Sequence, residues 1–332
     1  MNREKPIVGI TMGDPAGIGP EITVKAIVSP EIQNVCRPMI IGDGRVVRKA
    51  LREEKIDLPI RVVTSLREAD WNTTEIRILD TKNADPEKIA AGQPSAVGGR
   101  AVFEDVQRAV QLAQGKQVSG IVAGPHNKYS VNLAGVLFTG YPPLIAKLTG
   151  SPYSFNMLVS GTIRIVGATL HLALKDVCRA ISKDLVVAVI EAVQTALNRL
   201  GIPHPRIAVA GLNPHCGEEG LFGTEEKTVI GPAIEAAQQQ GIKASGPYPA
   251  DSLFVGIKEN PIFDAYVAMY HDQSHIPIKT VAFDSIAGLI IGTPLVMATV
   301  GHGTAFEIAG KGRANPQPMM EAIRLVALSC DT

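Results

Sequence analysis

The stretch "IVGITMGDPAGIGPEITVKAI", residues 7–27, contains a complete strand–turn–helix unit. Residues 7–11 are mostly apolar and bulky, which is typical of a buried strand, and residues 20–27 carry apolar side chains at helical spacing. A glycine-rich turn joins the two, and Pro20 suits the first turn of a helix. A strand that leads directly into a helix is the repeating element of α/β folds.

The same alternation of strand and helix runs along the whole chain of 332 residues. Further strands are predicted at residues 38–42, 120–123, 164–168, 206–210, 266–270 and 289–292. Further helices are predicted at residues 46–53, 96–114, 185–200, 231–240 and 318–328. This order predicts βαβ units around a largely parallel sheet, and the length suffices for two domains.

The composition excludes several classes of protein. Lys plus Arg and Asp plus Glu number 32 each, with no basic block for nucleic acid and no charged tail for a membrane surface. The four cysteines are far apart and form no CxxC pair, which argues against a disulfide framework and a cysteine-bound zinc. The N-terminus lacks the pattern of a signal peptide, and no apolar run reaches about 20 residues. We therefore expect a cytoplasmic protein that binds neither nucleic acid nor membrane.

Three histidines follow three of the predicted strands. His171 lies in "ATLHLALKD", His215 in "LNPHCGEEG" and His271 in "AMYHDQSH". Because parallel strands end at one edge of a sheet, these imidazoles are expected close together. Three neutral imidazoles can hold zinc or a similar divalent ion and leave a position open for substrate. Their spacing matches no local metal motif, so three ordinary loop histidines remain the alternative.

Two other histidines near these strand ends are interpreted differently. Pro277 follows His275 too closely for a regular helix, so we expect His275 beside the ligands or on the surface. His126 in "AGPHNKYS" ends another strand and marks a further polar loop together with Lys128.

Two glycine-rich segments are candidate ligand loops. "MGDPAGIGPEI", residues 12–22, has no GxGxxG pattern, and it fits a phosphate loop and a tight turn without a ligand equally well. "GHGTAFEIAGKGRANP", residues 301–316, resembles the adenosine-binding loop of isocitrate and isopropylmalate dehydrogenases. That resemblance places His302 against adenine and the backbone of Gly303, Thr304 and Ala305 around the ribose and phosphate. A glycine-rich turn before a helix is the alternative.

Taken together, "TMGDPAGIGPEI", "GLNPHCGEEGLFGTEE", "YPADSLF", "AMYHDQ" and the 301–316 segment resemble the 4-hydroxythreonine-4-phosphate dehydrogenase (PdxA) family. The similarity runs over essentially the whole chain. It implies an isocitrate- and isopropylmalate-dehydrogenase-like α/β fold of two α/β/α domains with a cleft between them, and a homodimer. We expect an NAD-binding domain at residues 1–130 plus 288–332, and a central domain with the dimer interface at residues 131–287.

The resemblance also implies the cofactors and the chemistry. NAD or NADP takes a hydride from a secondary alcohol beta to a carboxylate, and the product loses CO2. A divalent metal, expected to be zinc with Mg, Mn or Co as alternatives, is held by His171, His215 and His271 drawn from both subunits. The remaining matched positions are Asp251, Asp272 and Lys279 at the substrate, and Asn213 at the cofactor. Lys279 or an acid of the cluster could carry the alcohol proton, and the identity of the base stays open.

The sequence departs from the family pattern around the substrate. Tyr141 and Pro142 stand where the enzymes of phosphorylated substrates carry His and Thr, an asparagine is missing near Gly288, and Met297 replaces an arginine. Because a phosphate dianion needs charge-assisted donors, these changes predict a non-phosphorylated substrate. The "GYPPL" and "VGHG" segments resemble the terephthalate cis-dihydrodiol dehydrogenases of the same family, which implies a substrate such as terephthalate cis-dihydrodiol, with Tyr141 packing on its ring.

Three alternatives stay open. Lys128, Lys147 or Arg164 could bind phosphate from another position, so that 4-phosphohydroxy-L-threonine or a 4-phospho-threonate or -erythronate is the substrate. The chain could be an acyltransferase of related fold. It could also be a non-catalytic paralogue, although every metal histidine is present.

Overall fold

The computed structural model of the chain describes residues 4–66, 69–71 and 74–330. These residues form two compact units, the first running to Leu148 and resuming at Leu295, the second spanning Thr149–Pro294. The observed boundaries, at residues 148/149 and 294/295, differ from those expected from the sequence, at residues 130/131 and 287/288. Residues 131–148 belong with the first unit, where helix 128–133 packs on helix 96–114. Residues 288–291 are part of a strand in the sheet of the second unit.

The first unit contains six parallel strands. They are β1 (Ile7–Thr11), β2 (Arg37–Gly42), β3 (Ile60–Val63), β4 (Ile76–Asp80), β5 (Gly120–Ala123) and β12 (Met297–Val300). Their order is β3-β4-β2-β1-β5-β12, and every neighbouring pair is parallel. The central strand β1 is buried at four of its five residues, which explains why most of its side chains are apolar.

Helices pack against this sheet. They are α1 (Gly19–Ile27), α2 (Pro30–Val35), α3 (Gly44–Glu53), α4 (Ala96–Gln114), α5 (Lys128–Leu133), α6 (Tyr141–Thr149) and α12 (Gln317–Cys330), with short 3-10 helices at Pro86–Lys88 and Phe306–Ile308. α4 and α12 lie against β1 and β5. Ser95 caps α4 by accepting from the Gly98 N–H.

The second unit contains six strands of mixed direction. They are β6 (Phe155–Ser160), β7 (Ile163–Gly167), β8 (Ile207–Ala210), β9 (Ala244–Tyr248), β10 (Ala265–Ala268) and β11 (Ala287–Ile291). The order is β11-β6-β7-β10-β8-β9. β6 pairs antiparallel with both of its neighbours, whereas β7, β10, β8 and β9 run parallel. β11 therefore runs in the same direction as these four strands, and the prediction of a largely parallel sheet holds for the first unit and for five of the six strands here.

The helices of the second unit are mostly short. They are α7 (Leu174–Ala180), α8 (Lys183–Arg199), α9 (Gly231–Gln239), α10 (Ala250–Leu253) and α11 (His271–Ala282), together with 3-10 turns at Pro214–Gly220 and Phe283–Ser285 and a π-helical turn at Glu226–Ile230. α8 places apolar residues on the sheet at three- and four-residue spacing. Within the described residues, none of the helices is long and apolar enough to cross a membrane.

One prediction about the second unit is wrong. A proline six residues after His271 was expected to prevent a regular helix, yet α11 runs from His271 to Ala282 with Pro277 inside it. A proline removes one helical hydrogen bond and disturbs its own turn, but the flanking turns can persist when tertiary contacts hold them. α11 lies against β7, β10 and β6, with Ser274 and Ile278 buried.

Candidate active site

The three predicted metal ligands follow three adjacent strands. β7, β10 and β8 are neighbours in the second unit, and they are followed by His171, His271 and His215 respectively. The carboxyl ends of such strands are the usual ligand sites of α/β sheets. The fold therefore delivers all three side chains to the same edge of one sheet.

The segment before His171 is fastened to the end of β10. The Ala168 N–H donates to the Ala268 carbonyl at 2.8 Å, and Thr169 donates both its N–H and its hydroxyl to the Met269 carbonyl. This clamp brings His171 towards His271, and the centroids of their two rings lie 6.1 Å apart. The two imidazoles are near enough to approach one ion, since a Zn–N bond is about 2 Å long.

His271 begins α11 and is oriented by its neighbour. Its Nδ1 lies 2.6 Å from a carboxylate oxygen of Asp272. When Nδ1 donates to that carboxylate, the opposite nitrogen, Nε2, is left as an acceptor for a metal ion. The carboxylate expected beside the substrate thus contacts a candidate ligand directly.

His275 lies one turn further along the same face of α11. Its ring stacks on that of His271, with centroids 3.9 Å apart, and its Nδ1 lies 2.9 Å from the His271 carbonyl. Burial, with His271 beside it, lowers the pKa of His275 to about 4, so this ring is neutral at pH 7. Lys279 follows another turn later and is exposed.

His215 is presented by a turn of unusual conformation. Five consecutive residues, 215–219, have φ between 43° and 82°, and only Gly217 among them is a glycine. The left-handed conformation costs about 1–2 kcal/mol for each residue that carries a Cβ. Such a run persists only where surrounding contacts impose it, and it is common at functional sites.

A buried carboxylate lies inside this turn. Glu226 accepts from the backbone N–H groups of Leu212 and Asn213 at 2.8 and 2.7 Å. The amide nitrogen of Asn213 also donates to Glu226 and to Glu225. Because that nitrogen is already engaged by two carboxylates, the predicted contact of Asn213 with a cofactor would have to come from its carbonyl oxygen.

The second predicted acid, Asp251, belongs to the same neighbourhood. It is exposed in α10. Burial raises the pKa of Cys216 in the His215 turn, and the charges of Glu226 and, to a smaller extent, Asp251 act in the same direction. The described residues contain no group of three or more His, Cys, Asp or Glu side chains arranged to hold one metal ion. Of the three candidate ligands, His171 and His271 have rings in contact, with centroids 6.1 Å apart.

In the first unit, the backbone N–H groups of the glycine-rich turn after β1 already donate to acceptors within the protein. Ala16 and Gly17 donate to the side chain and the carbonyl of Asp14, and Ile18 donates to the carbonyl of Thr304. These donors are the ones that a phosphate loop would point at its anion. Of the two interpretations left open by the sequence, the tight turn without a phosphate is the one that this geometry favours.

The segment 301–316 packs directly on that turn. A Cβ added to Gly17 would lie 2.8 Å from the Thr304 carbonyl oxygen, so only glycine allows this approach. Further along, Glu21 accepts from the Ala314 N–H at 2.6 Å, and Lys25 donates to the carbonyls of Gly312 and Ala314. The loop expected to hold the cofactor is thus fixed to α1 by a buried acid and a lysine.

The predicted cofactor contacts in this segment are partly accessible. His302 is half-buried, and burial lowers its pKa, which keeps the ring neutral at pH 7. Gly303 is exposed, Thr304 is buried, and Ala305 has a left-handed backbone with φ of 42°.

Three predicted substrate contacts lie in the protein core instead. Tyr141 is 1% exposed, and its hydroxyl donates to the Gly124 carbonyl at 2.8 Å. Met297 lies in β12 and Gly288 in β11, both buried. Pro142 is half-buried at the start of α6. An enclosed Tyr141 cannot pack on a substrate ring, so the structure gives that expectation no support.

Tyr141 instead supports another histidine. Its ring meets His126 edge-on at 4.3 Å, and Phe138 meets the same imidazole at 4.9 Å. Sequence reasoning treated His126 as part of an ordinary polar loop, and it overlooked Gln273 and Glu226 altogether. The spacing of four between His271 and His275 was the available signal for a helical pair, and Pro277 obscured it.

Comparisons with known proteins agree with the resemblance. The family model described as "Pyridoxal phosphate biosynthetic protein PdxA" matches residues 34–326. The chain is 41% identical over 320 residues to D-threonate 4-phosphate dehydrogenase of Cupriavidus necator, covering 96% of each chain. Solved structures include 4-hydroxythreonine-4-phosphate dehydrogenase of Klebsiella pneumoniae, with 33% identity, a TM-score of 0.87 and 98% and 100% of the two chains covered.

Two further structures bear on the fold and on the substrate. A terephthalate 1,2-cis-dihydrodiol dehydrogenase of Burkholderia xenovorans is 35% identical, with a TM-score of 0.70 over 98% of each chain. A beta-decarboxylating dehydrogenase of Thermococcus kodakarensis is 14% identical, with a TM-score of 0.51 over 97% of this chain and 81% of its own. The latter likeness concerns the fold alone, and the expected fold class is confirmed.

Proposed function

The chain belongs to the PdxA family, and from that membership we propose that it is a metal-dependent NAD(P) dehydrogenase that oxidises and decarboxylates a phosphorylated hydroxy acid of the threonate 4-phosphate type. It is an oxidoreductase of a CH–OH group, since relatives that match over nearly the whole chain are dehydrogenases. The observation that carries the proposed substrate is the 41% identity to D-threonate 4-phosphate dehydrogenase. The acyltransferase and the non-catalytic paralogue are not carried further, because these relatives over nearly the whole chain are named dehydrogenases.

The substrate proposal departs from the expectation of a non-phosphorylated diol. That expectation rested on Tyr141, Pro142, Gly288 and Met297, yet only Pro142 among them is partly accessible. Residues enclosed in the core say little about which group a ligand meets. The terephthalate diol enzyme has the lower TM-score, 0.70 against 0.87, at a similar sequence identity of 35% against 33%. The experiment below therefore includes the diol as the competing candidate substrate.

Basic side chains for the phosphate are available in both units. Lys128 and Lys147 are exposed in the first unit and Lys279 in the second. Arg164 is a weaker candidate, because its guanidinium donates to the carbonyls of Thr162 and Asp264 along its own strand edge. We propose Lys279 as the cation that holds an anionic group of the substrate beside the histidines.

The imidazoles suit a divalent ion such as zinc, with Mg, Mn or Co as alternatives. His171 and His271 support the assignment through their proximity, and His215 through its conformation. When bound, the ion supplies Lewis-acid chemistry at the alcohol. Asp272 holds the His271 ring, Asp251 stands beside the His215 turn, and Lys279 or one of these acids carries the alcohol proton.

The nicotinamide cofactor is assigned to the 301–316 loop. Neutral His302 provides a flat ring for adenine, and the exposed backbone at Gly303 can approach the ribose and phosphate closely. Asn213 in the second unit is retained as a cofactor contact through its carbonyl oxygen. NAD and NADP both fit this description.

A homodimer that completes the metal site is also proposed. Large apolar side chains lie exposed next to the candidate ligands: Leu172 and Leu174 after His171, Leu221 and Phe222 after His215, and Ile276 and Phe283 in and after α11. Exposed apolar side chains around a functional site are typical of an interface between proteins. A second copy of the chain would cover them and add its own histidines.

Mixing inactive variants tests the shared site. If His215 and His271 of one site come from different subunits, mixing His215→Ala with His271→Ala restores one intact site in each heterodimer, about a quarter of wild-type turnover. If all ligands come from one chain, the mixture stays inactive. Mixing His171→Ala with His271→Ala tests in the same way whether these two ligands, whose rings lie 6.1 Å apart within one chain, serve the same site or come from different subunits.

The substrate is tested by NADH formation with the zinc- or manganese-loaded enzyme. The panel contains 4-phospho-D-threonate, 4-phospho-D-erythronate, 4-phosphohydroxy-L-threonine and terephthalate cis-dihydrodiol. Turnover of a phosphorylated acid is expected, with Lys279→Met raising KM for that substrate. Turnover of the diol alone would refute the proposed substrate and leave the dehydrogenase assignment standing.

A further inference from the structure

We propose that Gln273 and Glu226 are positioning residues that hold the His215 turn in place at the carboxyl ends of the strands, and thereby set the affinity of the site that His215 forms with His171 and His271 for a divalent ion. The inference rests on the proposed function insofar as these histidines bind metal. Neither side chain is among the predicted ligands or substrate contacts, and both belong to the second unit.

Gln273 bridges the carboxyl ends of two adjacent strands. Its carbonyl oxygen accepts from the Met269 N–H at 2.6 Å, directly after β10. Its amide nitrogen donates to the Gly211 carbonyl at 2.9 Å, directly after β8. The residue lies in the first turn of α11, two positions after His271. One side chain thus ties the start of the His271 helix to the start of the His215 turn.

Glu226 continues this link from Gly211 into the turn. It is 4% exposed and accepts from two successive backbone N–H groups, those of Leu212 and Asn213, and from the Asn213 side chain. A buried carboxylate needs such donors, and three of them converge on it here. The three bonds fix the backbone immediately before His215.

The turn itself is built around this carboxylate. A Cβ on Gly217 would lie 2.9 Å from a Glu226 oxygen and 2.6 Å from the Gly223 carbonyl oxygen, and one on Gly211 would lie 2.8 Å from the Cys216 sulfur. The left-handed residues 215–219 are held in a conformation that an isolated peptide would not keep. Releasing Glu226 or Gln273 should therefore let His215 move while the strands remain in place.

Metal ligands depend on such supporting groups, and their loss typically weakens metal binding by about 10–100-fold. Gln273→Met keeps the length of the side chain and removes both hydrogen bonds. We expect its zinc affinity to fall within that range, with an altered visible spectrum of the Co²⁺-loaded protein. Gln238→Met is the matched control, because Gln238 also donates to a backbone carbonyl, that of Ala244, but in α9.

Glu226 is tested with a graded pair. Glu226→Ala removes all three acceptor contacts, whereas Glu226→Gln keeps the shape and one oxygen for the backbone N–H groups. Zinc affinity is expected to fall further in Glu226→Ala, with partial rescue in Glu226→Gln. Equal zinc affinity of both variants and the wild type would overturn the role of Glu226. Gln273→Met carries the test if Glu226→Ala does not fold.

Amide hydrogen exchange supplies a readout that needs no metal. In Gln273→Met, the amides of Leu212 and Asn213 should exchange faster although their own acceptor, Glu226, is intact. Unchanged exchange at these two amides together with wild-type zinc affinity would overturn the proposal. If the wild-type chain bound no divalent ion, the metal in the proposed function would fall, and the exchange of these amides would decide the positioning role by itself.

Discussion

Replacing Tyr141 with phenylalanine distinguishes a core residue from a substrate contact. The Tyr141 hydroxyl lies in the interior and donates to the Gly124 carbonyl at 2.8 Å. Burial raises the pKa of this hydroxyl, so it remains a donor at every working pH. Tyr141→Phe keeps the ring, and with it the contacts to His126 and Phe138, but deletes the donor.

The expected cost follows from that single bond. A buried carbonyl that loses its hydrogen-bond partner destabilises the folded state by about 1–3 kcal/mol. Because the apolar packing is retained, we expect Tyr141→Phe to fall near the lower end of this range. Tyr129→Phe makes the same chemical change at a side chain that is 63% exposed, and its effect should stay within about 0.5 kcal/mol.

The measurements are urea unfolding of the two variants and their KM values for the substrate that the panel identifies. The structural argument predicts a loss of stability for Tyr141→Phe alone and an unchanged KM for both. A raised KM with wild-type stability would mean that the hydroxyl meets the substrate. The placement of Tyr141 in the core would then be refuted, and the original assignment to the substrate site restored.

Two further predictions concern the first unit. Burial raises the pKa of Asp105 to about 7, so the folded state binds this proton more tightly than the unfolded chain does and loses stability as pH rises from about 4 to about 7. In urea unfolding across that window, the free energy of unfolding of Asp105→Asn should therefore rise by about 1–4 kcal/mol relative to that of the wild type. A difference between the two proteins that does not change with pH would contradict the burial argument. Lys25→Met removes the donor to the carbonyls of Gly312 and Ala314 and should raise KM for the nicotinamide cofactor with little change in kcat. The control Lys49→Met breaks only an exposed pair with Glu53 and should leave this KM unchanged. Equal effects of the two variants on KM would show that α1 does not position the loop.

The regular parts of the fold were predictable because local pattern and burial agree there. The strands Ile7–Thr11 and Gly120–Ala123 and the helix Ala96–Gln114 have the predicted bounds, since an apolar run or a helical period is bounded by turn residues in each case. The pattern failed where tertiary contacts override local preference. α11 persists around Pro277 because buried residues hold it on the sheet, and β6 was overlooked although it pairs on both sides.

By itself, the sequence predicted the kind of chemistry. Three histidines after three strands, a lysine nearby and an adenosine-type loop are chemical identities at strand ends, and parallel strands bring their ends to one edge whatever the details of packing. These features predicted the metal ligands to propose, and the motifs that surround them carried the resemblance to the family. They do not depend on which way any side chain turns.

Only the tertiary structure decided which side chains are accessible and which hold others in place. Tyr141 and Met297 are enclosed, and the N–H groups after Asp14 are already paired. Gln273 donates to the carbonyl of Gly211, 62 positions away in the sequence, while it accepts from the Met269 N–H. Burial and hydrogen-bond partners arise from contacts between segments far apart in the chain. No local pattern of residues encodes which distant acceptor will pair with a given donor.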